Sequence, residues 1–218
     1  MKQLALPFAD EQIYTEEDFC PAASNAAARE WLAQPERWSH GRLVLWGAAG
    51  CGKTHLLHLW AKAHGAQIVQ GATLGGLLRP TGPVAVDDAE LVPEPRALLH
   101  LLNAAAEGGW PALLASRLPP MRMVYKLADL TSRLRAASAV EIRPPEDELL
   151  DLLLTRLAAQ RQLYLSIPVR NLLLLHLPRA AYYYQEAIAR MDRLALDRGA
   201  RISRALTTEI LAELLKDL

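Results

Sequence analysis

Apolar residues along this chain fall into two textures, and the boundary between them lies near residue 145. Before it, short apolar runs alternate with stretches of helical spacing. The runs predict strands over 42–46, 67–70, 84–88, 110–116 and 140–143, and the spacing between them predicts helices over 25–34, 53–64, 95–107 and 122–135. Residues 71–83 are rich in glycine and proline and have room for little more than a turn of helix. Strands that are apolar throughout are buried on both faces, and strands separated by helices pair in parallel. The expected class is therefore α/β, a five-stranded parallel sheet with helices on both faces. After Pro144-Pro145 no strand signal remains. Leucine-rich helical spacing over 146–165, 168–177, 178–198 and 207–218, with Gly199 stopping the third helix, predicts a small all-helical lobe. The expected division is a loosely held acidic lead over 1–18, an α/β domain over 19–145 and a helical domain over 146–218.

Composition narrows the partners. Lys and Arg number 24 and so do Asp and Glu, which leaves no net basic field to hold a phosphate backbone. Direct sequence-specific DNA binding is not expected. The two cysteines are Cys20 and Cys51, the second inside a glycine-rich loop where a crosslink would be disabling, so a reducing compartment is expected. The first residues lack the apolar core of a signal peptide, and no apolar run is long enough to span a bilayer. A cytoplasmic protein without a membrane segment is the expectation.

The strongest chemistry lies in Gly47, Ala48, Ala49, Gly50, Cys51, Gly52, Lys53 and Thr54, which fit G-x-x-x-x-G-K-[ST] between a predicted strand and a predicted helix. Glycines let successive N–H groups turn inward on a triphosphate, and the helix that follows adds its positive dipole end. Lys53 would reach the β/γ-phosphates and Thr54 would hold Mg²⁺ through its hydroxyl. Asp87 and Asp88 end the third strand, where one acid serves the metal shell and the next orients water, although a helix-capping pair would look the same. Ser116 ends the fourth strand near the γ-phosphate position, followed by Arg117. His55 follows the loop and counts with the nucleotide-binding residues. It shares a helix face with His58, and without a third ligand at metal spacing packing outweighs zinc. Arg179 could fold back toward the cleft. Arg133 reads either as a functional cation or as compensation of a helix C-terminus, and the latter is the simpler reading. At the start of the chain, Gln3, Leu4, Leu6, Pro7 and Phe8 form either a frayed end or a short peptide suited to a partner's apolar pocket.

Motif order then carries a resemblance. The loop at 47–54, the acids at 87 and 88, Ser116 to Pro120, the run Leu130-Thr131-Ser132-Arg133-Leu134 before strand five and the helical lobe together resemble the DnaA branch of AAA+ ATPases over residues 19–218. The resemblance implies that Arg133 is an arginine finger acting on a neighbouring subunit's nucleotide, and that Phe19 through Asn25 line the adenine pocket. The family's helix-turn-helix domain and its helical insertion have no counterpart in the sequence. Gln3 to Phe8 looks like the hexapeptide that docks in the β sliding clamp of DNA polymerase III. These features resemble the Hda-like regulators that, with the clamp, drive hydrolysis of DnaA-bound ATP. The resemblance implies bound ADP or ATP with Mg²⁺, the clamp and DnaA as partners, and self-association into a dimer or oligomer as open. Arg117 replaces the family's usual acid, and Tyr182 stands about where its lid arginine would be, which points to weak or absent ATPase activity of the chain itself. The alternative is a self-assembling AAA+ ATPase that loads helicase or remodels a partner.

Overall fold

The computed structural model describes residues 14–199 and 201–216 of the chain. Its five strands are β1 (Arg42–Trp46), β2 (Gln67–Gln70), β3 (Val84–Asp87), β4 (Ala112–Ser116) and β5 (Ser138–Glu141), all parallel, in the sheet order β2-β3-β4-β1-β5. The helices between them are α1 (Ala26–Leu32), α2 (Lys53–His64), α3 (Pro95–Glu107) and α4 (Ala128–Arg135). Strand side chains alternate between faces, so β1 sends Leu43 and Leu45 one way and Val44 the other. Leu43 and Leu45 join Ala85, Leu113, Ala115 and Val140 under α1 and α2. Val44 joins Val84, Val86, Ala112 and Leu114 under α3 and α4. Both faces are covered, which is why the central strands read as continuous apolar runs.

Four further helices, α5 (Asp147–Gln160), α6 (Ile167–His176), α7 (Ala181–Arg198) and α8 (Arg204–Leu214), close around a core of their own that includes Leu150, Leu154, Leu173, Tyr184, Ile188, Met191 and Ile210. This helical lobe meets the α/β part at the glycine-rich loop, where Ala181 donates its backbone N–H to the Gly50 carbonyl at 3.2 Å. On the other side, Glu146 accepts from the Ala23 and Ser24 backbone at 2.9 and 3.5 Å.

The expected class and the sequence of elements are borne out, while several boundaries shift. The first helix spans 26–32 rather than 25–34, behind a 3-10 turn at Ala23–Asn25. Strand β5 begins at Ser138, two residues early, because Ser138 and Ala139 pair with Leu43 and Val44 without carrying any strong apolar signal. Helix α4 begins at 128 and not 122. Pro120 starts only a 3-10 turn, and Tyr125, whose hydroxyl donates to the Ala89 carbonyl at 2.6 Å, ties down the segment before the helix. Helix α5 stops at Gln160, short of 165, with Gln162 in the left-handed region at φ 55°. Helices α6 and α7 run over 167–176 and 181–198, the latter starting three residues late because Ala180 is extended. Helix α8 starts at 204 instead of 207, because the Ser203 hydroxyl caps it by accepting from the Leu206 N–H at 3.3 Å.

Leu114 is fully buried in β4, between β3 and β1. Leu114→Ala should lower the unfolding free energy by about 2–5 kcal/mol in urea titration, and Leu175→Ala, at an exposed position of α6, by less than ~0.5 kcal/mol.

Candidate functional site

β1 ends at Trp46, level with Ser116 of β4 and Glu141 of β5, and the chain turns there into the loop that opens α2. The turn is crowded on one side and open on the other. A Cβ at Gly47 would overlap the Ile142 carbonyl and lie 2.9 Å from Cys51 Sγ, and one at Gly50 would lie 2.7 Å from Ala180 Cβ. A Cβ at Gly52 would meet nothing within 4 Å. Gly50 and Gly52 also adopt φ of 72° and 100°, which side chains disfavour. Lys53 is buried and donates through Nζ to the Gly47 and Ala48 carbonyls, both at 2.8 Å. Its charge is therefore held against the loop.

Helix α2 brings the Thr54 hydroxyl beside the Asp87 carboxylate at the end of β3. Asp87 is only 3% exposed. Burial pushes its carboxyl above the ordinary range, the Thr54 hydrogen bond pulls it back, and the neighbouring Asp88 charge pushes it up again. Asp88 donates its backbone N–H to Asp87 Oδ1 at 3.0 Å and takes a left-handed conformation, φ 47°. A Cβ on Gly71 would lie 2.8 Å from the Asp87 carbonyl oxygen, so the close passage of β2's end past this turn requires glycine. Sequence reading treated Gly71 only as loop; its position directly after a strand was the available signal. One hydroxyl and one carboxylate are hard oxygen donors of the kind Mg²⁺ takes alongside phosphate oxygens and water. Thr54 and Asp87 thus fit such an ion.

Ser116 is fully buried at the end of β4, where its carbonyl accepts from the Gly47 N–H at 3.2 Å and its hydroxyl accepts from the Leu118 N–H at 3.0 Å. Arg117 turns away, half exposed, beside Glu90 at 3.7 Å.

A cavity of about 250 Å³ opens between the loop and the helical lobe. Gly50, Cys51, Gly52 and His55 form its floor, Phe19, Cys20 and Asn25 one wall, and Leu149, Leu153 and Arg156 of α5 the other. Its mixed lining, apolar from Phe19, Leu149 and Leu153 and polar from Asn25, His55 and Arg156, suits a small ligand that has both a planar apolar part and polar groups. Asn25 holds its wall in shape, donating to the Cys20 carbonyl at 3.0 Å and accepting from the Ala22 N–H at 3.1 Å. His55 donates through Nε2 to the Thr15 carbonyl at 2.8 Å, and its ring meets Phe19 and Tyr14, each at 5.3 Å. Tyr14 also lies against His58 at 4.3 Å, so both histidines are packing residues here, and no group of three metal-binding side chains occurs among the described residues. Sequence reading missed the contribution of α5. Its leucines looked like core alone, and Arg156, which donates to the Phe19 carbonyl at 3.4 Å, carried no pattern.

The structure does not bring three of the singled-out residues into this cavity. Arg179 donates from Nε to the Pro145 carbonyl at 3.1 Å and from Nη2 to Asp147 at 2.7 Å, at the junction of the two parts. Tyr182 is largely exposed. Arg133 lies in the last turn of α4, near where β5 begins, whereas the cavity lies where the strands end. Residues 3, 4, 6, 7 and 8 lie outside the described residues.

Asp87 yields a test with a defined sign. A carboxyl whose folded-state pKa is raised holds its proton more tightly than in the unfolded chain, so its ionisation subtracts stability as pH rises past the ordinary carboxylate value. At neutral pH Asp87→Asn should raise the melting temperature, while the Mg²⁺-dependent part of ADP affinity disappears in fluorescence titrations.

No protein-family model matches the chain. Among solved structures, domain III of the Thermotoga maritima replication initiation protein DnaA superposes with a TM-score of 0.76 at 18% identity, covering 93% of this chain and 97% of that one. AMPPCP-bound DnaA from Aquifex aeolicus superposes at 0.66 with 20% identity, over 85% of this chain and 66% of that chain, so this chain spans just under two thirds of that protein. The Thermotoga maritima RuvB Holliday junction branch migration motor gives 0.65 at 15% identity, over 85% of this chain and 68% of that chain. At these identities the likeness is one of fold: a parallel sheet followed by a helical lobe, arranged as in domain III of that DnaA.

Proposed function

We propose that the protein is a nucleotide-bound AAA+ regulator of replication initiation that docks on the polymerase sliding clamp and supplies an arginine to DnaA-bound ATP. ADP or ATP would sit with its phosphates on the 47–54 loop and its base against Phe19 to Asn25, with Mg²⁺ between Thr54 and Asp87. The observation that carries the reading is the placement of Arg133. It stands at the edge of the sheet where the strands begin, away from the chain's own cavity, and its side chain is about a third exposed. A cation so placed is out of reach of the chain's own cavity and would serve a nucleotide held by another subunit. The AMPPCP in the Aquifex DnaA structure supports nucleotide binding by this fold.

The chain's own site favours holding a nucleotide over turning it over. Arg179 is engaged at the junction, Tyr182 faces solvent and Arg117 pairs with Glu90, so none of these contributes a charge to the cavity. An arginine supplied across an interface stabilises the charge that develops on a transferring phosphoryl group and contributes roughly three to five orders of magnitude.

In a reconstitution with DNA-loaded clamp, the wild-type protein should shorten the lifetime of DnaA-bound ATP. Arg133→Ala should return hydrolysis to within about tenfold of the unstimulated rate, since a trans arginine accounts for about 10³ or more. Unchanged stimulation by Arg133→Ala would remove the proposed role, and brisk ATP turnover by this protein alone would favour a self-assembling ATPase. The tether is a separate expectation. Leu6→Ala with Phe8→Ala should abolish clamp pull-down and leave nucleotide affinity intact; pull-down by the double variant would exclude that segment as the anchor.

A further inference from the structure

At the end of the sheet where the strands begin, a second cleft of about 400 Å³ opens between residues 35–41 and the turn that joins α3 to β4. Trp38, Trp110, Pro35 and Pro111 form its walls, and the exposed residues Glu36 and His40 stand at its rim. The walls are held in place by the fold. A Cβ on Gly108 would lie 2.6, 2.7 and 2.7 Å from three atoms of the Trp110 six-membered ring, so that indole lies face-on against the glycine. Trp38 donates through Nε1 to the Trp31 carbonyl at 2.8 Å, and Ser39 donates its N–H to Ser138 Oγ at 2.9 Å. His40 follows in the left-handed region, φ 54°, which side chains disfavour. Glycine there would be unstrained, so the imidazole is kept at a cost.

The electrostatics of this cleft have one sign. Ala106 in the last turn of α3 and Gly109 just past it both line the cleft, so the negative end of a 13-residue helix opens there. Basic residues favour such an end, yet the last turn of α3 has none and closes with Glu107. The Glu36 carboxylate forms no hydrogen bond or ion pair among the described residues, and neither does the His40 ring. Among those residues no lysine or arginine lines the cleft: Arg37 lies over the Trp31 ring, 5.4 Å from its centroid, and Arg42 is buried in β1. Aromatic faces, a carboxylate and a helix C-terminus all attract a cation.

We propose that this cleft binds an arginine side chain of a partner polypeptide. The planar guanidinium stacks on the Trp110 indole, its fork meets the Glu36 carboxylate, and a neutral His40 ring nitrogen accepts one further N–H. A lysine ammonium is a compact point charge and gains less from flat walls. The volume is that of a site for a ligand with a body, more than a bare cation fills, and the exposed rim lets a peptide chain pass in and out. The inference stands apart from the nucleotide reading, because the phosphate loop lies at the other end of the strands.

The test titrates the full-length protein, isotope-labelled at its indole nitrogens, with the tripeptide acetyl-Ala-Arg-Ala-amide. Of the five tryptophan signals, that of Trp110, assigned by cross-relaxation with Gly108, should move saturably, while that of Trp46, at the far end of β1, stays. Saturating ADP should leave the dissociation constant unchanged. The citrulline peptide, isosteric and neutral, should not bind, and methylguanidinium alone should bind more weakly than the arginine peptide. Glu36→Gln should weaken binding roughly threefold to fivefold, the loss expected of one exposed charge pair. His40→Gly should also weaken it without lowering the melting temperature, a split that a merely structural histidine would not give. No saturable movement of Trp110, equal binding of the citrulline peptide, or an unchanged constant in Glu36→Gln overturns the proposal. Methylguanidinium binding as tightly as the peptide overturns the assignment to a polypeptide.

Discussion

The approach of Thr54 to the buried Asp87 carboxylate ties together parts of the fold that the sheet holds apart. β4 lies between β1 and β3, so α2 must leave β1 and pass over β4 for its first turn to meet the end of β3. That crossing works only if the three strands end level. The register supplies this, pairing Trp46 with Ser116 and Val86 with Leu114. Level strand ends in turn demand glycine where backbones crowd: Gly47 under the Ile142 carbonyl and Gly71 beside the Asp87 turn. Continuous apolar runs bury the strands, and the polar groups collect where the runs stop. The site is therefore a consequence of the sheet's order as much as of the residues in its loop.

Much of this was legible in the sequence because each feature there has a single physical cause. Five short apolar runs separated by helices permit little besides a parallel sheet, and the glycines of 47–54 mark the tight turn that joins β1 to α2. What stayed hidden depends on packing between distant segments. The α5 wall of the cavity reads as core leucine until Leu149 and Leu153 are seen facing Phe19 and Cys20. Arg179 carries a charge that suits a nucleotide, yet Asp147 lies only 2.7 Å away and captures it, a competition that no local pattern reveals. Boundaries shifted where weak signals decided them, as at Ser138 and Ser203, whose roles are a strand pairing and a helix cap.

The molecule has two chemically distinct ends. Where the strands stop, Lys53, Thr54 and Asp87 surround a loop and cavity suited to a nucleotide, and the helical lobe reaches over it through Ala181 and Gly50. Towards the strands' beginnings, Arg133 lies in the last turn of α4, paired at 3.1 Å with Asp129. A parallel sheet separates these ends by construction, so a single chain of this fold cannot bring its Arg133 to its own phosphate loop. On the proposed reading, assembly with a second nucleotide-bearing subunit is what would let both ends do chemistry.

The most direct test of that arrangement is to load DnaA with an ATP analogue bearing a photoreactive group on its γ-phosphate. After mixing with this protein and DNA-loaded clamp, irradiation is followed by mapping of the labelled peptides by mass spectrometry. The expected result is label in this chain within the segment 128–137, around Arg133. Label confined to this chain's own 47–54 loop, or none in this chain at all, would contradict the claim that its arginine enters another subunit's site.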